Sequence, residues 1–510
     1  MKRFVLFIFF LSTLTLSAQK NASVSFEKWI SLKNIGNTII SADGRTIVYN
    51  VSSTDWANNS YDTELWMSRD GETHVQLTRT SKNSSTAARF TPDSKFVSFL
   101  ADRGEKIQLY IIAVSGGEAM QVTKDEDGIG NYEWNTDGTK IAYTKAEAES
   151  KKDKTVKERF GAFGVEGEEY KQNHLWLLNF HYDSIVLAGQ VPCYTPKADS
   201  TKKDSTTKIK GQECFSLPLG KRLTEGDFTV GGFAWNPDGK TIAFNRQRNP
   251  LINSGITSDI VIIDVATKKM TTLVNNLSGD FFSRWNPDGK SFVYSSSLND
   301  STTNYFKNNR LFIYDINTKT SHEIARDIDE NKFVADWNTK GLFVGALEKT
   351  KGKLYTVDIK TGKTKSAAVP LDVLGNISFS KNTDNLAVSG RNYDDLNEIY
   401  LWRFNQPLKK ITNSTAQISG WNTPVNEVIT WKSTDGAPIE GILLKPKNYD
   451  AKKKYPLLVV IHGGPTGIDF PDPAPTYVYP IMQWVEKGAL VLRVNYRGSA
   501  GTKFYCSRWH

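Results

Sequence analysis

The hexapeptide Trp235-Asn236-Pro237-Asp238-Gly239-Lys240 returns as Trp285-Asn286-Pro287-Asp288-Gly289-Lys290. Weaker copies begin at Ile40, Phe90 and Trp134, each with aspartate in the fourth place, and two degenerate ones begin at Trp337 and Phe379. The motif has a mechanical meaning. Proline presets φ near about −65°, and Asp-Gly supplies the turn residues, with glycine taking positive φ, so the motif is a hairpin turn. The aromatic in front of it is suited to plug the space between neighbouring sheets. Alternating strands follow each turn, such as Thr241 to Phe244 or Ser291 to Tyr294. A second strand comes next (Asp259 to Val265, Arg310 to Ile316) and a third closes the unit (Met270 to Val274). Three or four short strands per repeat make one propeller blade.

The motif starts lie 50, 44, 101, 50, 52 and 42 residues apart. Blades of this type run about 40 to 50 residues, so the long interval marks an insertion in the third of seven blades. That insertion, roughly 145–220, holds two lysine-rich runs, Lys151 to Lys157 and Lys197 to Lys210, expected as mobile surface excursions. Asn173 to Phe180 still reads as the blade's own strand and Lys221 to Thr224 as its return. A β-sandwich, the rival all-β reading, does not require one turn motif seven times.

Composition narrows the function. The 510 residues carry 64 Lys and Arg against 55 Asp and Glu, a net charge of +9. The excess is spread through turns and the insertion, with no basic stripe interleaved with aromatics, which argues against nucleic-acid binding. At the amino end, Lys2-Arg3, an apolar run from Phe4 to Leu16 and small Ser17-Ala18 form a signal-peptide pattern, too short to span a bilayer. Export to the periplasm or beyond is expected, without a stable membrane anchor. In such a compartment Cys193 and Cys214, both in the insertion, are candidates for a disulfide, leaving Cys506 over.

Past Gly420 the pattern changes. Glu427 to Lys432, the turn at Thr434-Asp435-Gly436 and Pro438 to Lys445 form one hairpin. Leu457 to Ile461 is continuously apolar, as expected of a strand buried on both faces. It ends in His462-Gly463-Gly464-Pro465. A helix is expected from Tyr479 to Lys487, capped by Gly488, and then a strand from Ala489 to Val494 leads into Asn495-Tyr496-Arg497-Gly498-Ser499. Hairpin, strand, glycine loop, helix and strand open an α/β-hydrolase sheet. The Gly-Gly loop fits two roles there: a tight strand-to-helix turn, or backbone N–H donors aimed at an oxyanion.

Taken together and in this order, seven turn motifs, the Trp431-to-Gly436 hairpin, His462-Gly463-Gly464-Pro465 and Asn495-to-Ser499 resemble the prolyl oligopeptidase family of serine peptidases. The resemblance is particularly to its acylaminoacyl-peptidase and dipeptidyl-peptidase-like branch. The resemblance covers nearly the whole mature chain. It implies a serine hydrolase of short peptides, with the propeller lying over the active site and limiting substrate size. The implied architecture is an all-β seven-bladed propeller (19–419, after a signal peptide at 1–18), then the incomplete N-terminal part of an α/β-hydrolase domain (420–510). His462, Gly463 and Gly464 become the oxyanion-hole candidates, the two glycines as backbone donors. In the dipeptidyl-peptidase branch an acidic pair in the propeller holds the substrate amine. Glu168-Glu169 is the candidate here, although its surroundings depart from that motif and a solvated surface pair competes.

The family's nucleophile sits in a Gly-x-Ser-x-Gly elbow, followed by Asp and then His. These 510 residues contain no such elbow; Gly498-Ser499-Ala500-Gly501 has Arg497 where the first glycine belongs. The six histidines are His74, His174, His181, His322, His462 and His510, and none follows a candidate serine within a hydrolase core. After Gly501 the sequence departs from the family's pattern. The expectation is a serine peptidase whose triad is not encoded here and which is inactive alone. A periplasmic propeller that binds a protein partner is the alternative, and a non-peptidase ester or amide hydrolase on the same scaffold a third reading. No metal-ligand spacing and no phosphate loop call for a cofactor.

Overall fold

Each of the seven turn motifs lies at the end of the first strand of a four-stranded antiparallel sheet. The computed structural model describes residues 23–80, 83–104, 106–149, 151–161, 170–191, 214–298, 308–464, 466–475 and 479–501. The sheets span 34–76, 85–121, 132–222, 229–274, 280–324, 332–366 and 373–410, blades 1 to 7. In the full copies the turn closes as its chemistry requires: the Gly239 amide donates to Asn236 O and the Gly289 amide to Asn286 O, both at 2.9 Å. Both glycines have positive φ, 68° and 70°.

The blades form a closed ring. Blade 1 packs on blade 2 through Val48, Leu65, Val97 and Phe99, and the same kind of mixed core recurs at every junction up to blades 6 and 7, where Phe343 meets Val388 and Trp402. The last junction joins blade 7 back to blade 1 through Ala387, Ile399 and Ile411 against Ile40, Ile47 and Tyr49. No strand is shared across that seam. Instead Thr38 N donates to Asn376 Oδ1 at 2.8 Å, Ile40 N to Ser378 Oγ at 3.2 Å and Asn382 N to Ala42 O at 2.9 Å. The first strand of six blades carries a register shift, for example between Val230 and Phe233. Such bulges bend a strand and sharpen its twist.

A second repeat accompanies the first. In blades 1, 2, 3 and 7 a threonine after the last strand reaches the third strand. Its Oγ1 accepts the amide of Leu65, Leu109, Leu175 or Ile399 at 2.9–3.0 Å. The same hydroxyl pairs with Glu64, Gln108, His174 or Glu398 at 2.5–3.1 Å.

In the third-blade insertion the first lysine-rich run is helical, Lys151–Phe160, and Lys157 pairs with Glu149 at 2.7 Å. Lys, Glu and Arg are good helix formers, which the compositional reading as a loose excursion overlooked. A helix at Tyr182–Gln190 buries Ile185 and Ala188, the former in the core between blades 2 and 3. The expected signal peptide (1–18), Lys197 to Lys210, Glu168-Glu169, Cys193, Pro465 and Cys506 lie outside the described residues. Cys214 is disulfide-bonded.

Beyond the ring comes a mixed sheet. Its strands β1 (Val425–Lys432), β2 (Pro438–Lys445), β3 (Leu457–Ile461) and β4 (Leu490–Asn495) lie in the order β1-β2-β4-β3, with helix α1 (Ile481–Glu486) between β3 and β4 in sequence. β2 is antiparallel to β4, and β3 is parallel to it. One face is packed: Ile442, Leu444, Val460 and Val491 meet Ile481 and Val485 of α1. The expectation that β3 is buried on both faces does not hold among the described residues. It is the edge strand, and Leu457, Val459 and Ile461 stand 55%, 47% and 66% exposed. Continuous apolarity marks a strand meant for cover on both sides, and here one side has it.

The propeller begins at Asn34, and the residues before it belong elsewhere. Val24, Trp29 and Leu32 share a core with Ile418, Trp421, Ala474 and Met482. Ser23 Oγ donates to Glu486 of α1 at 2.8 Å, and Gln483 Nε2 donates to Val24 O at 3.2 Å. The residues just before the ring are thus fastened to α1 beyond it.

Candidate functional site

Because β3 and β4 run parallel as neighbours, the loops that leave them emerge at the same end of the sheet, where open α/β sheets hold their ligands. His462-Gly463-Gly464 leaves β3, and Asn495 to Ser499 ends and leaves β4. The structure brings them together. His462 Nδ1 lies 3.0 Å from Gly463 O and Nε2 lies 2.9 Å from Ser499 Oγ. A carbonyl oxygen only accepts, so Nδ1 carries the proton and the Ser499 hydroxyl donates to Nε2. Tyr496 stacks on the imidazole at 4.5 Å between centroids, and its hydroxyl donates to His462 O at 3.0 Å.

A hydroxyl on an imidazole is the start of a nucleophile–base pair. Two observations count against that role. Ser499 and His462 are 3% and 6% exposed, and the second imidazole nitrogen meets a carbonyl rather than an orienting carboxylate. The pair acts as a brace that clamps one loop to the other.

The Gly-Gly loop itself is tightly specified. Gly464 has φ 128°, and a Cβ there would stand 2.7 Å from Gly467 N. A Cβ on Gly467 would stand 2.6 Å from Gly463 O and 3.0 Å from His462 Nδ1. Around Gly463, by contrast, an added Cβ meets nothing within 4 Å. Among the described residues neither the Gly463 nor the Gly464 amide donates to another backbone group.

Behind the loop the chain is held by buried polar contacts. Asn495 Oδ1 accepts the Asp469 amide at 2.8 Å, and its Nδ2 donates to Asp469 O at 2.9 Å. Arg493 donates to the Asp469 carboxylate and, at 3.1 Å, to Phe470 O. From blade 7, Arg391 Nη1 donates to Pro471 O at 2.6 Å and pairs with Asp472 at 3.5 Å. The β1–β2 turn takes part as well. Arg497 donates to Asp435 and to Ser433 Oγ, and holds the Asp435 carboxyl well below the usual carboxylate range.

His462, Gly463 and Gly464 are therefore gathered at one site. Gly467, Asp469, Arg493 and Arg391 were not singled out from sequence. Only the run of glycines at 463, 464 and 467 carried a signal for the first of them. Among the described residues no group of three or more His, Cys, Asp or Glu side chains is arranged to hold a metal ion. An open cavity of about 370 Å³ lined by Phe228, Arg246 and Asp259 belongs to blade 4.

No protein-family profile matches the chain. It is 25% identical to dipeptidyl-peptidase 5 of Porphyromonas gingivalis over 486 residues, 93% of this chain and 68% of that protein. It is 23% identical to the uncharacterized peptidase YuxL of Bacillus subtilis over 90% of this chain and 68% of that one. These relatives are peptidases, in agreement with the resemblance to the prolyl oligopeptidase family. Among solved structures, the Pyrococcus horikoshii acylaminoacyl peptidase superposes with a TM-score of 0.65 at 16% identity, over 93% of this chain and 67% of that one. That likeness bears on the fold, and the prolyl oligopeptidase propeller accounts for the seven antiparallel sheets. The chain spans about two thirds of the length of these relatives.

Proposed function

We propose that these residues are the propeller and the opening of the catalytic domain of an exported serine peptidase that cleaves short peptides by acyl transfer. The observation that carries this reading is the pair of parallel strands β3 and β4 whose loops meet at His462 and Ser499, presenting Gly463 and Gly464 at the end of the sheet. An acyl-transfer intermediate bears a negative oxygen, and preorganised backbone N–H groups lower its energy; one such donor is worth about 3–4 kcal/mol. The Gly463 and Gly464 amides, which donate to no other backbone group among the described residues, and the open space at Gly463 suit that task. His462, Tyr496 and Ser499 hold the loop in place rather than react.

In this reading the nucleophilic serine, the acid and the base lie outside the 510 residues, which are inactive by themselves. The mixed sheet with its exposed Leu457, Val459 and Ile461 is then the incomplete part of an α/β-hydrolase domain. Peptide substrates are favoured because the relatives are peptidases; a related acylaminoacyl peptidase has been seen in complex with Z-Gly-Gly-Phe-chloromethyl ketone. Lys2 to Ala18 directs export. Among the described residues no helix is long and apolar enough to cross a membrane.

A fluorophosphonate probe tests the reading. The 510 residues are expected to remain unlabelled; labelling at Ser499 would overturn the assignment of His462–Ser499 as a brace, and labelling elsewhere would overturn their inactivity. The neighbouring coding DNA supplies the second check. A Gly-x-Ser-x-Gly within roughly a hundred codons, in any frame, supports the peptidase, and its absence favours a binding propeller.

A further inference from the structure

One propeller hairpin reaches the mixed sheet with its tip, where Thr350 is buried and Lys349 stays exposed. In blade 6 the strands Gly341–Glu348 and Lys351–Val357 are joined by two residues, Lys349 and Thr350, with Glu348 paired to Lys351. Two-residue hairpins need positive φ at the tip and so favour Gly, Asn or Asp. Here Lys349 takes it, with φ 54°, a conformation lysine rarely adopts. The tip is held from outside the propeller: the Lys349 amide donates to Gly501 O, past β4, at 2.6 Å. Thr350 is 3% exposed although it stands at a tip, and its hydroxyl is 3.0 Å from Tyr393 OH.

Glu440 of β2 lies against this tip. It is 7% exposed, and among the described residues its Oε1 has no hydrogen-bond partner. The groups around it come from four elements. Lys349 and Thr350 approach from blade 6, and Tyr393 from blade 7. Beside Tyr393 stand Lys351 and Asp372, paired with each other at 3.0 Å. Across the ladder to β4 lies Asn495, with Arg493 two residues before it already paired to Asp469; across to β1 lies Thr430.

We infer that the Lys349-Thr350 tip and Glu440 form a proton-operated latch between propeller and mixed sheet, engaged while Glu440 is neutral and loosened when it ionises. Burial is the largest influence on Glu440 and pushes its pKa above the ordinary 4.5, with Lys349 and hydrogen bonding to Thr350 opposing it. A carboxyl with a higher pKa in the docked state than in the undocked one favours docking in its neutral form. That contribution is complete below the ordinary value and is lost as pH rises through the docked value. The inference needs no catalysis and stands apart from the peptidase reading.

Hydrogen exchange at the Lys349 amide, corrected for intrinsic rate, reads the latch between about pH 5 and about pH 8. Protection is expected to fall as pH rises and to level off once Glu440 is ionised. Glu440→Gln is expected to keep the acid-pH protection throughout. Lys349→Met keeps both Glu440 and the reporting amide, removes the charge that favours ionisation, and is expected to move the loss to higher pH. Protection that does not vary with pH in the unaltered chain, or a fall that survives in Glu440→Gln, would refute the latch. So would an unmoved midpoint in Lys349→Met.

Discussion

At the residue scale, the turn glycines do two jobs at once. Gly289 has φ 70°, and a Cβ on it would stand 2.3 Å from Asn236 Oδ1, because the Asn236 side chain of the blade 4 turn donates to Gly289 O at 3.0 Å. The same glycine therefore shapes its own turn and receives the neighbouring one. Gly289→Ala is expected to destabilise the chain by about 2 kcal/mol, read as a lower unfolding midpoint in denaturant. Gly239 has nearly the same φ but open space around it, so Gly239→Ala should cost less. The difference between them measures the inter-blade contact. Proline and Asp-Gly made both turns legible from sequence, whereas the second job depends on a partner about fifty positions away and was not.

At the element scale, the threonine clamp shows how a blade fastens its outer strand. Glu398 is the fullest example: it is wholly buried, and it accepts Thr412 Oγ1 at 2.6 Å, the Ser414 and Thr415 amides at 2.8 Å, and Lys410 Nζ at 2.9 Å. Burial alone disfavours its charge, but these donors outweigh it and hold its pKa below the ordinary 4.5. A depressed carboxyl contributes stability above its unfolded pKa and loses it as pH falls through the folded one. Acid unfolding should therefore gain a component below about pH 4.5 that Glu398→Gln removes. Thr412→Val should cost about 1–3 kcal/mol at neutral pH by leaving buried polar groups unpaired. The corresponding place after the last strand of blade 5 is Ala325, so the clamp is not a condition for forming a blade. This repeat escaped sequence reading because its two halves differ in composition between blades, with Glu, Gln or His facing one threonine.

At the scale of the whole molecule, two closures hold the ends. The ring closes by a mixed core and a few hydrogen bonds, one of them between backbones, with no shared strand among the described residues, and residues 23–32 are bound to α1 beyond the ring. Trp29 is 2% exposed in the core that joins Val24 and Leu32 to Met482 and Trp421. Trp29→Ala is expected to remove about 3–5 kcal/mol from that core. Limited proteolysis should then cut the mixed sheet while the 34–410 ring persists; simultaneous loss of both would show one cooperative unit instead of two.

What the sequence determined by itself is what short-range chemistry dictates. A turn needs its proline, aspartate and glycine within six positions, so seven copies announced seven blades, and the strand, loop and helix order announced the start of a second unit. Only the tertiary structure decided which distant groups meet. His462 and Ser499 are thirty-seven positions apart and touch because β3 and β4 are parallel neighbours. Arg391 reaches Pro471, and the Lys349-Thr350 tip meets Glu440, because one edge of the ring lies against the mixed sheet. Even the apolarity of Leu457 to Ile461 stated only that cover was needed. Which face receives it is a matter of what packs there, and that is a property of the assembled chain.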